Sequence, residues 1–590
     1  MKARPYAGPH PRKRGASLAA ACAIALSGAL GSCDVFGALS APDSSESALV
    51  RFLEPASGTI DLSLYASDPG RSAYVVFTTG ASSSWTAPAA SQTAGSRVSP
   101  AGLSPRAHRN RGASERASEI RRAGFRSFAE SFVASAAPRY ASTGDAPADA
   151  VGDSVAFTLY GDATGSTVAV CRYVSGDVVF GDRTRSLSIW VPESEWSTIE
   201  GVDGTVSPAK VDALAGAFFN PGGDTGSSIY AWVTAMLGDE WGTGGSVRYG
   251  VSTFDVIGDT RNITILIADI EDDGDDLEAQ GGVIGYFYPG DTIPEFQYSN
   301  ERVMFAIDSA MLGTKEGASW DIGDYWPSTV ISTLAHEFQH MIHFYQKAVL
   351  RGGDYFSEPT WIDELCSMQV EDLIADKIKV AGPRGVAWND ASAGESGNMS
   401  GRIPDYLYYP DISLDDWGGI DIYDSYAGAY AFGAYLTRNY GGAAFIRNVV
   451  QSPYADARAV VAAARAASGR EESMIGLLRR WGAAVLLSAR TDAPEKYRYN
   501  TGTSFSSTIG NVDYTLGSIN FYNYKAGIDE DDDGNPDSYV TEPFIYSSSN
   551  IDSFYGGALS NLFMDLGDPS LRPSWTLEVP SGMYATIVVD

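Results

Sequence analysis

The stretch Ser332-Thr-Leu-Ala-His-Glu-Phe-Gln-His-Met-Ile-His343 constrains this chain more than any other. It holds three of the five histidines in 590 residues. Pro327 suits a first helical turn. Val330, Ile331, Leu334, Ala335, Phe338, Met341, Ile342 and Tyr345 then recur at helical spacing, which predicts a buried helix. His336 and His340, four residues apart, project from one face and can reach a single metal ion. Glu337 stands beside the first of them, where it can activate a metal-bound water. The motif thus points to a catalytic zinc centre of the peptidase kind.

A catalytic zinc site needs a third protein ligand and one open position. His343 fails on geometry, because seven residues separate it from His336, about 10 Å of helix axis at about 1.5 Å per residue. No histidine follows position 343, so the third ligand must be a carboxylate or a cysteine. The best candidate lies in Glu358-Pro-Thr-Trp-Ile-Asp-Glu-Leu-Cys-Ser-Met-Gln-Val-Glu-Asp-Leu373. Ser357 can cap a second helix there, Pro359 suits its first turn, and Trp361, Leu365 and Met368 mark an apolar face. Glu364 follows His340 by 24 residues, enough for a reversing loop at 351–354 and an antiparallel return.

These segments, with Tyr426-Ala-Gly-Ala-Tyr-Ala-Phe432, resemble the Glu-zincin metallopeptidases and most of all the hyicolysin family of bacterial secreted zinc peptidases. The resemblance covers roughly residues 185–490 and implies a role for each matching position. His336, His340 and Glu364 would hold Zn²⁺, and Glu337 would act as the general base. Tyr426 matches a transition-state tyrosine of the aminopeptidase branch, with Tyr430 as runner-up. Asp363 departs from the family's Asn, and Leu365 from its Gly. Met368 stands where some relatives place a carboxylate behind the ligands, so Glu371 is expected to orient His336 instead.

The rest of the chain frames this centre. A basic start runs into an apolar stretch ending Leu30-Gly-Ser-Cys33, which resembles a bacterial lipobox. Residues 1–33 therefore read as a lipoprotein signal peptide, with Cys33 as the lipidated residue. Membrane contact would be through that lipid alone, and the location cell-surface or periplasmic, alternatively secreted. The net charge of −31 becomes −36 without Lys2, Arg4, Arg12, Lys13 and Arg14, which argues against a nucleic-acid partner. Proteins or peptides are the expected substrates.

Residues 34–80 read as a tether and a small β module. Residues 81–150 are a Ser/Ala/Arg-rich linker or pro-segment, and 151–184 a β segment leading inward. Residues 185–490 form the metallopeptidase domain and 491–590 a C-terminal β-sandwich. The fold class is α+β, a mixed-sheet lobe carrying the motif helix followed by a helical lobe, with a cleft between them. Cys171 and Cys366 are left as structural thiols able to form one bridge.

Asp529, Asp531, Asp533 and Asp537 around Gly534 have the alternation of a calcium loop, although Val540 stands at position 12 where a regulatory EF-hand has Glu. A looser version begins at Asp269. Gly152-Asp-Ser154 hints at a serine hydrolase, but no later histidine can act as its base. A non-catalytic surface lipoprotein, an adhesin or scaffold that keeps the metal, is the alternative. The intact Glu337 argues against it, because that residue adds little to metal holding.

Overall fold

The computed structural model describes residues 49–53, 58–63, 70–80, 83–86 and 148–590, less 160–164, 199–205, 259, 271–282, 297, 314–319, 323–324, 389–400, 416, 418–421, 529–537, 548–552, 572–573 and 580. Cys33, the 87–147 segment and the acidic loop with Asp529, Asp531, Asp533 and Asp537 lie outside the described residues.

A seven-stranded mixed sheet opens the body. Its spatial order is Gly285–Tyr286, Met304–Asp308, Asn262–Ala268, Arg183–Pro192, Ser166–Val174 and Ser154–Thr158, with Val178–Phe180 paired separately onto Arg183–Pro192. Asn262–Ala268 runs parallel to both of its neighbours. It and Met304–Asp308 are continuous apolar runs buried on both faces, as parallel strands covered by helices must be. Ser154–Thr158 and Ser166–Val174 are antiparallel, and their outer halves alternate between exposed and half-buried residues. The short strand Gly285–Tyr286 closes the other edge, antiparallel to Ala306 and Ile307.

The helices are α1 (Pro208–Phe218), α2 (Ile229–Leu237), α3 (Tyr325–Phe344), α4 (Thr360–Ile378), α5 (Arg402–Tyr408), α6 (Ile422–Asn439), α7 (Ala443–Val450), α8 (Ala457–Ser468) and α9 (Met474–Leu486). Ser207 caps α1, and Ser228 caps α2, each accepting from a backbone N–H three residues on. The motif helix α3 is pinned through Phe338 to α1 and α2, and through Phe218 of α1 to the sheet. That ring lies 5.1 Å from Phe218 and 5.5 Å from Tyr230, and Phe218 in turn lies 5.7 Å from Phe305 of the sheet. Burying one such ring is worth roughly 1.5–3 kcal/mol. Gly285 lets the edge strand approach, since a Cβ there would lie 2.8 Å from the Ala306 carbonyl and 3.0 Å from Thr333 Cγ2 on α3.

Helix α4 starts later than its sequence suggests. Tyr355–Ser357 form a separate 3-10 turn, Pro359 occupies the cap position, and the Ser357 hydroxyl donates to the Asp354 carbonyl instead of capping the helix.

The two chain ends depart from the expected separate modules. Val50–Phe52, Met583–Val589, Ala73–Thr79, Ser560–Gly567 and Tyr546–Ser547 form one five-stranded sheet in that order. Gly58–Ser63 pairs with Ser574–Val579, and Ser83–Thr86 with Ser553–Gly556. The N-terminal β module and the last strands are therefore halves of one unit. Alternation along each strand reveals which residues face inward but not which distant strand covers them. The hairpin Ser504–Ile509/Val512–Gly517 belongs elsewhere, with the helical lobe. Tyr514 donates to the Trp232 carbonyl of α2 at 2.6 Å, and the Arg438 guanidinium of α6 donates to the Gly517 carbonyl at 2.7 Å. Cys171 and Cys366 are buried free thiols rather than a bridge.

Candidate active site

Helices α3 and α4 pack side by side and between them build the site. His336 and His340 project from α3 toward α4, opposite the face that Phe338 buries. Glu364, on the second turn of α4, meets them. Its Oε2 lies 3.1 Å from His336 Nε2 and 3.6 Å from His340 Nε2. One ligating atom from each of His336, His340 and Glu364 lies within 4.8 Å of the other two. Two ligands about 2 Å from a tetrahedral zinc stand about 3.4 Å apart, so this donor set fits the ion in kind and in spacing. His340 and Glu364 are fully buried, whereas His336 is partly open to solvent. Glu337 is 2% exposed and follows His336 directly on α3.

The ligand rings are held from behind. His336 Nδ1 lies 3.4 Å from Glu371 Oε2, and Ser332 Oγ donates to the other oxygen of Glu371 at 3.0 Å. Glu371 is two turns beyond Glu364 on α4, so it reaches the same imidazole from the rear. Burial opposes a charge on His336, but Glu371, together with hydrogen bonds to Glu364 and Glu371, outweighs it and lifts the imidazole pKa to about 10. Proton and metal thus compete for one ring.

His340 Nδ1 lies 2.9 Å from Asp363 Oδ1. Asp363 immediately precedes Glu364 and so projects about 100° away around α4, reaching the back of the second histidine while Glu364 faces the front. Burial alone would raise the Asp363 pKa, but His340 and His343 hold this carboxyl well below the usual carboxylate range.

His343, excluded as a ligand by its spacing, is fully buried beside the site. Its Nδ1 lies 2.7 Å from Asp363 Oδ1 and its Nε2 lies 3.2 Å from Glu358 Oε2. Lys347 then pairs with the other oxygen of Glu358. In the sequence Asp363 stands out only as a departure from the family pattern, and no motif marks Glu358 and Lys347 as partners. The available signal was an ionisable residue at 343 and another at 347 on a face that is otherwise apolar.

Tyr426 and Tyr430 are on α6, which crosses α4. Tyr426 is buried, edge-on to Trp417 at 5.2 Å, with the Arg402 guanidinium 4.7 Å over its ring. Tyr430 is committed elsewhere, because its hydroxyl donates to Asp372 Oδ2 at 3.0 Å, an oxygen that also pairs with Arg438 at 3.1 Å. The runner-up tyrosine therefore braces α6 against α4.

Comparison with known proteins follows the same segment. The description "Peptidase M30" belongs to the family model that matches residues 175–520. A neutral metalloprotease of Staphylococcus hyicus, ShpI, is 28% identical over 194 residues, covering 32% of this chain and 38% of that protein. The match thus spans about two fifths of that relative's length. Among solved structures, the M1 zinc metallopeptidase of Deinococcus radiodurans is 11% identical with a TM-score of 0.29, over 56% of this chain and 60% of that one. A mutant of the same enzyme gives 12% and 0.29, over 56% and 61%.

Proposed function

The chain belongs to the peptidase M30 family, and on that premise we propose that it is a zinc-dependent peptidase of the Glu-zincin type, with His336, His340 and Glu364 as the zinc ligands. The observation that carries this reading is the meeting of those three side chains from two separate helices, beside Glu337. Zinc bound there supplies a Lewis acid that polarises a carbonyl and acidifies water. Glu337, a buried carboxylate one residue from a ligand, accepts the proton of the attacking water and returns it to the departing amine. Glu371 and Asp363 hold the two imidazoles so that each turns its Nε2 toward the centre. Tyr426 is the proposed donor to the oxyanion.

Proteins or peptides are the substrates in this reading. Export through the N-terminal signal and a lipid on Cys33 complete it. No helix among the described residues is long and apolar enough to cross a membrane. The proposed membrane contact is the lipid. Calcium at Asp529, Asp531, Asp533 and Asp537 is proposed on sequence alone.

The decisive experiment compares wild type with Glu337→Gln for bound zinc and for cleavage of casein and a peptide library. The expected result is one zinc per chain in both, with activity lower on the order of 10²–10⁴-fold in the variant. A zinc-loaded Glu337→Gln protein that still cleaves at the wild-type rate would overturn the mechanism.

A further inference from the structure

The metal-site reading uses one side of Asp363 and leaves its other partners without a task. Those partners form a continuous, largely buried chain. Asp363 Oδ1 meets both His340 Nδ1 (2.9 Å) and His343 Nδ1 (2.7 Å). Asp363 Oδ2 accepts from the Tyr355 hydroxyl at 2.8 Å. On its far side His343 faces Glu358, and Glu358 faces Lys347, whose ammonium also donates to the Tyr454 carbonyl at 3.2 Å. His343 and Lys347 are 0% exposed.

Geometry fixes one proton of His343. Its Nδ1 is hydrogen-bonded to Asp363 Oδ1 at 2.7 Å, with the Gln339 side-chain amide 3.3 Å from the same nitrogen. A lone pair on Nδ1 would be repelled by the carboxylate oxygen before it, so Nδ1 carries the hydrogen. Nε2 lies 3.2 Å from Glu358 Oε2 but is not aligned for a hydrogen bond, and Glu358 is neutralised by Lys347.

We propose that His343 is a positioning residue of the metal centre, a buried imidazole whose Nδ1–H fixes the Asp363 carboxylate and through it the ring of His340. The proposal rests on the zinc-site reading above. It gives a physical reason for Asp363 where the resembled family has Asn. A carboxylate attracts a nearby imidazole N–H more strongly than an amide oxygen does, and in a largely buried place it needs donors such as His343 Nδ1–H and the Tyr355 hydroxyl to answer it. Burial disfavours a charged His343, yet Glu358 and then Asp363 outweigh it, and its pKa lies above the ordinary imidazole value.

The test is a double-mutant cycle on zinc affinity, read by competition with a chromophoric chelator at fixed pH. His343→Gln should weaken zinc binding about 10–100-fold, the range found when a partner behind a ligand is lost. In an Asp363→Asn background the same substitution should cost less than about threefold, because His343 then has no carboxylate to hold. A folded His343→Gln protein with wild-type zinc affinity, or equal losses in both backgrounds, would overturn the proposal. If His343→Gln does not fold, Glu358→Gln takes its place in the cycle under the same two criteria.

Imidazole ¹⁵N spectra of the zinc-loaded wild type add a readout independent of affinity, and with five histidines the assignment is tractable. His343 Nδ1 should be protonated at pH 7.5, and a tautomer with a bare Nδ1 would sink the idea. Failure of the underlying reading looks different. A wild type that takes up no zinc, or a Glu364→Gln variant that binds it as tightly, removes the metal site itself whatever His343 does.

Discussion

Asp363 and Glu364 are adjacent in sequence, yet one serves the rear of His340 and the other the centre. At this scale the sequence was legible for what a fixed local spacing determines. His336, Glu337 and His340 follow from one helix and its period, and Glu364 follows from the loop length needed to return. The chain from Asp363 through His343 and Glu358 to Lys347 was not legible. It depends on the rotational phase of α4 against α3 across an intervening loop, which no spacing rule supplies. The same holds for Asp291, which nothing in its neighbourhood singled out. It is buried in the connection from the edge strand to Met304–Asp308, and its Oδ1 accepts from the Asn300 backbone N–H (3.1 Å) and from Asn300 Nδ2 (2.8 Å). Burial dominates these bonds and pushes its pKa from 3.8 to about 8. Between those values the folded protein binds a proton that the unfolded chain has released, so stability falls as pH rises through the window. Asp291→Asn keeps the Oδ1 acceptor and removes the titration. Its stability gain should be absent near pH 4 and grow toward pH 8, reaching on the order of 1 kcal/mol or more. Urea melts at both pH values check this, and a gain independent of pH would show that the carboxyl is already ionised in the fold.

The helices reflect how evenly each is surrounded. Helices α1, α2 and α9 begin at serine caps, and α7 and α8 carry an apolar stripe with one side on the core and the other toward water, signals that place each within a few residues. Helix α4 is different. Its buried residues run almost without break from Trp361 to Ala375, so the apolar face of Trp361, Leu365 and Met368 does not mark its start, which lies at Pro359 rather than Ser357. Helix α5 went unseen because seven residues with an internal proline give too short a period. Helix α9 carries the joint to the terminal β unit. Gly482 lies against the strand Ala73–Thr79, where a Cβ would stand 2.6 Å from Val76 Cγ1 and 3.1 Å from Asn561. Arg479 on the same helix donates to the Leu53 carbonyl at 2.9 Å and to the Ala585 carbonyl at 2.7 Å. Alanine normally strengthens a helix relative to glycine. Here overpacking should win, so Gly482→Ala should destabilise by about 1–3 kcal/mol. Chemical denaturation followed by tryptophan fluorescence measures it, and a stabilised variant would mean that α9 and the strand are not in contact.

At the scale of the whole molecule, the two ends of the chain depend on each other. Ala73–Thr79 is an interior strand, paired along its length with Met583–Val589 on one side and Ser560–Gly567 on the other. Val50–Phe52, Gly58–Ser63 and Ser83–Thr86 each pair with a strand from beyond residue 550. Such pairing between strands roughly 500 residues apart is what local pattern cannot carry, and so the terminal unit was read as two pieces. It also changes what a break in the chain would do. If residues 81–150 were only a pro-segment, cutting there would free the N-terminal part. With Ala73–Thr79 in the middle of a sheet, the cut removes a covalent link but no strand pairing, no buried Val75 or Phe77, and none of the contacts to α9. A protease site engineered between Thr86 and Ala148 should therefore yield two fragments that co-elute on gel filtration and separate only in denaturant. Zinc content and cleavage of casein should stay within about twofold of the intact chain, since the metal site lies wholly in the larger fragment. Deleting residues 49–86 should do what the cut does not. It exposes the inner faces of Ser560–Gly567 and Met583–Val589 as unpaired edges, and an aggregating or protease-sensitive C-terminus is the expected result. Fragments that part under native conditions would show that the strand pairing is too weak to hold the ends together without the connecting chain.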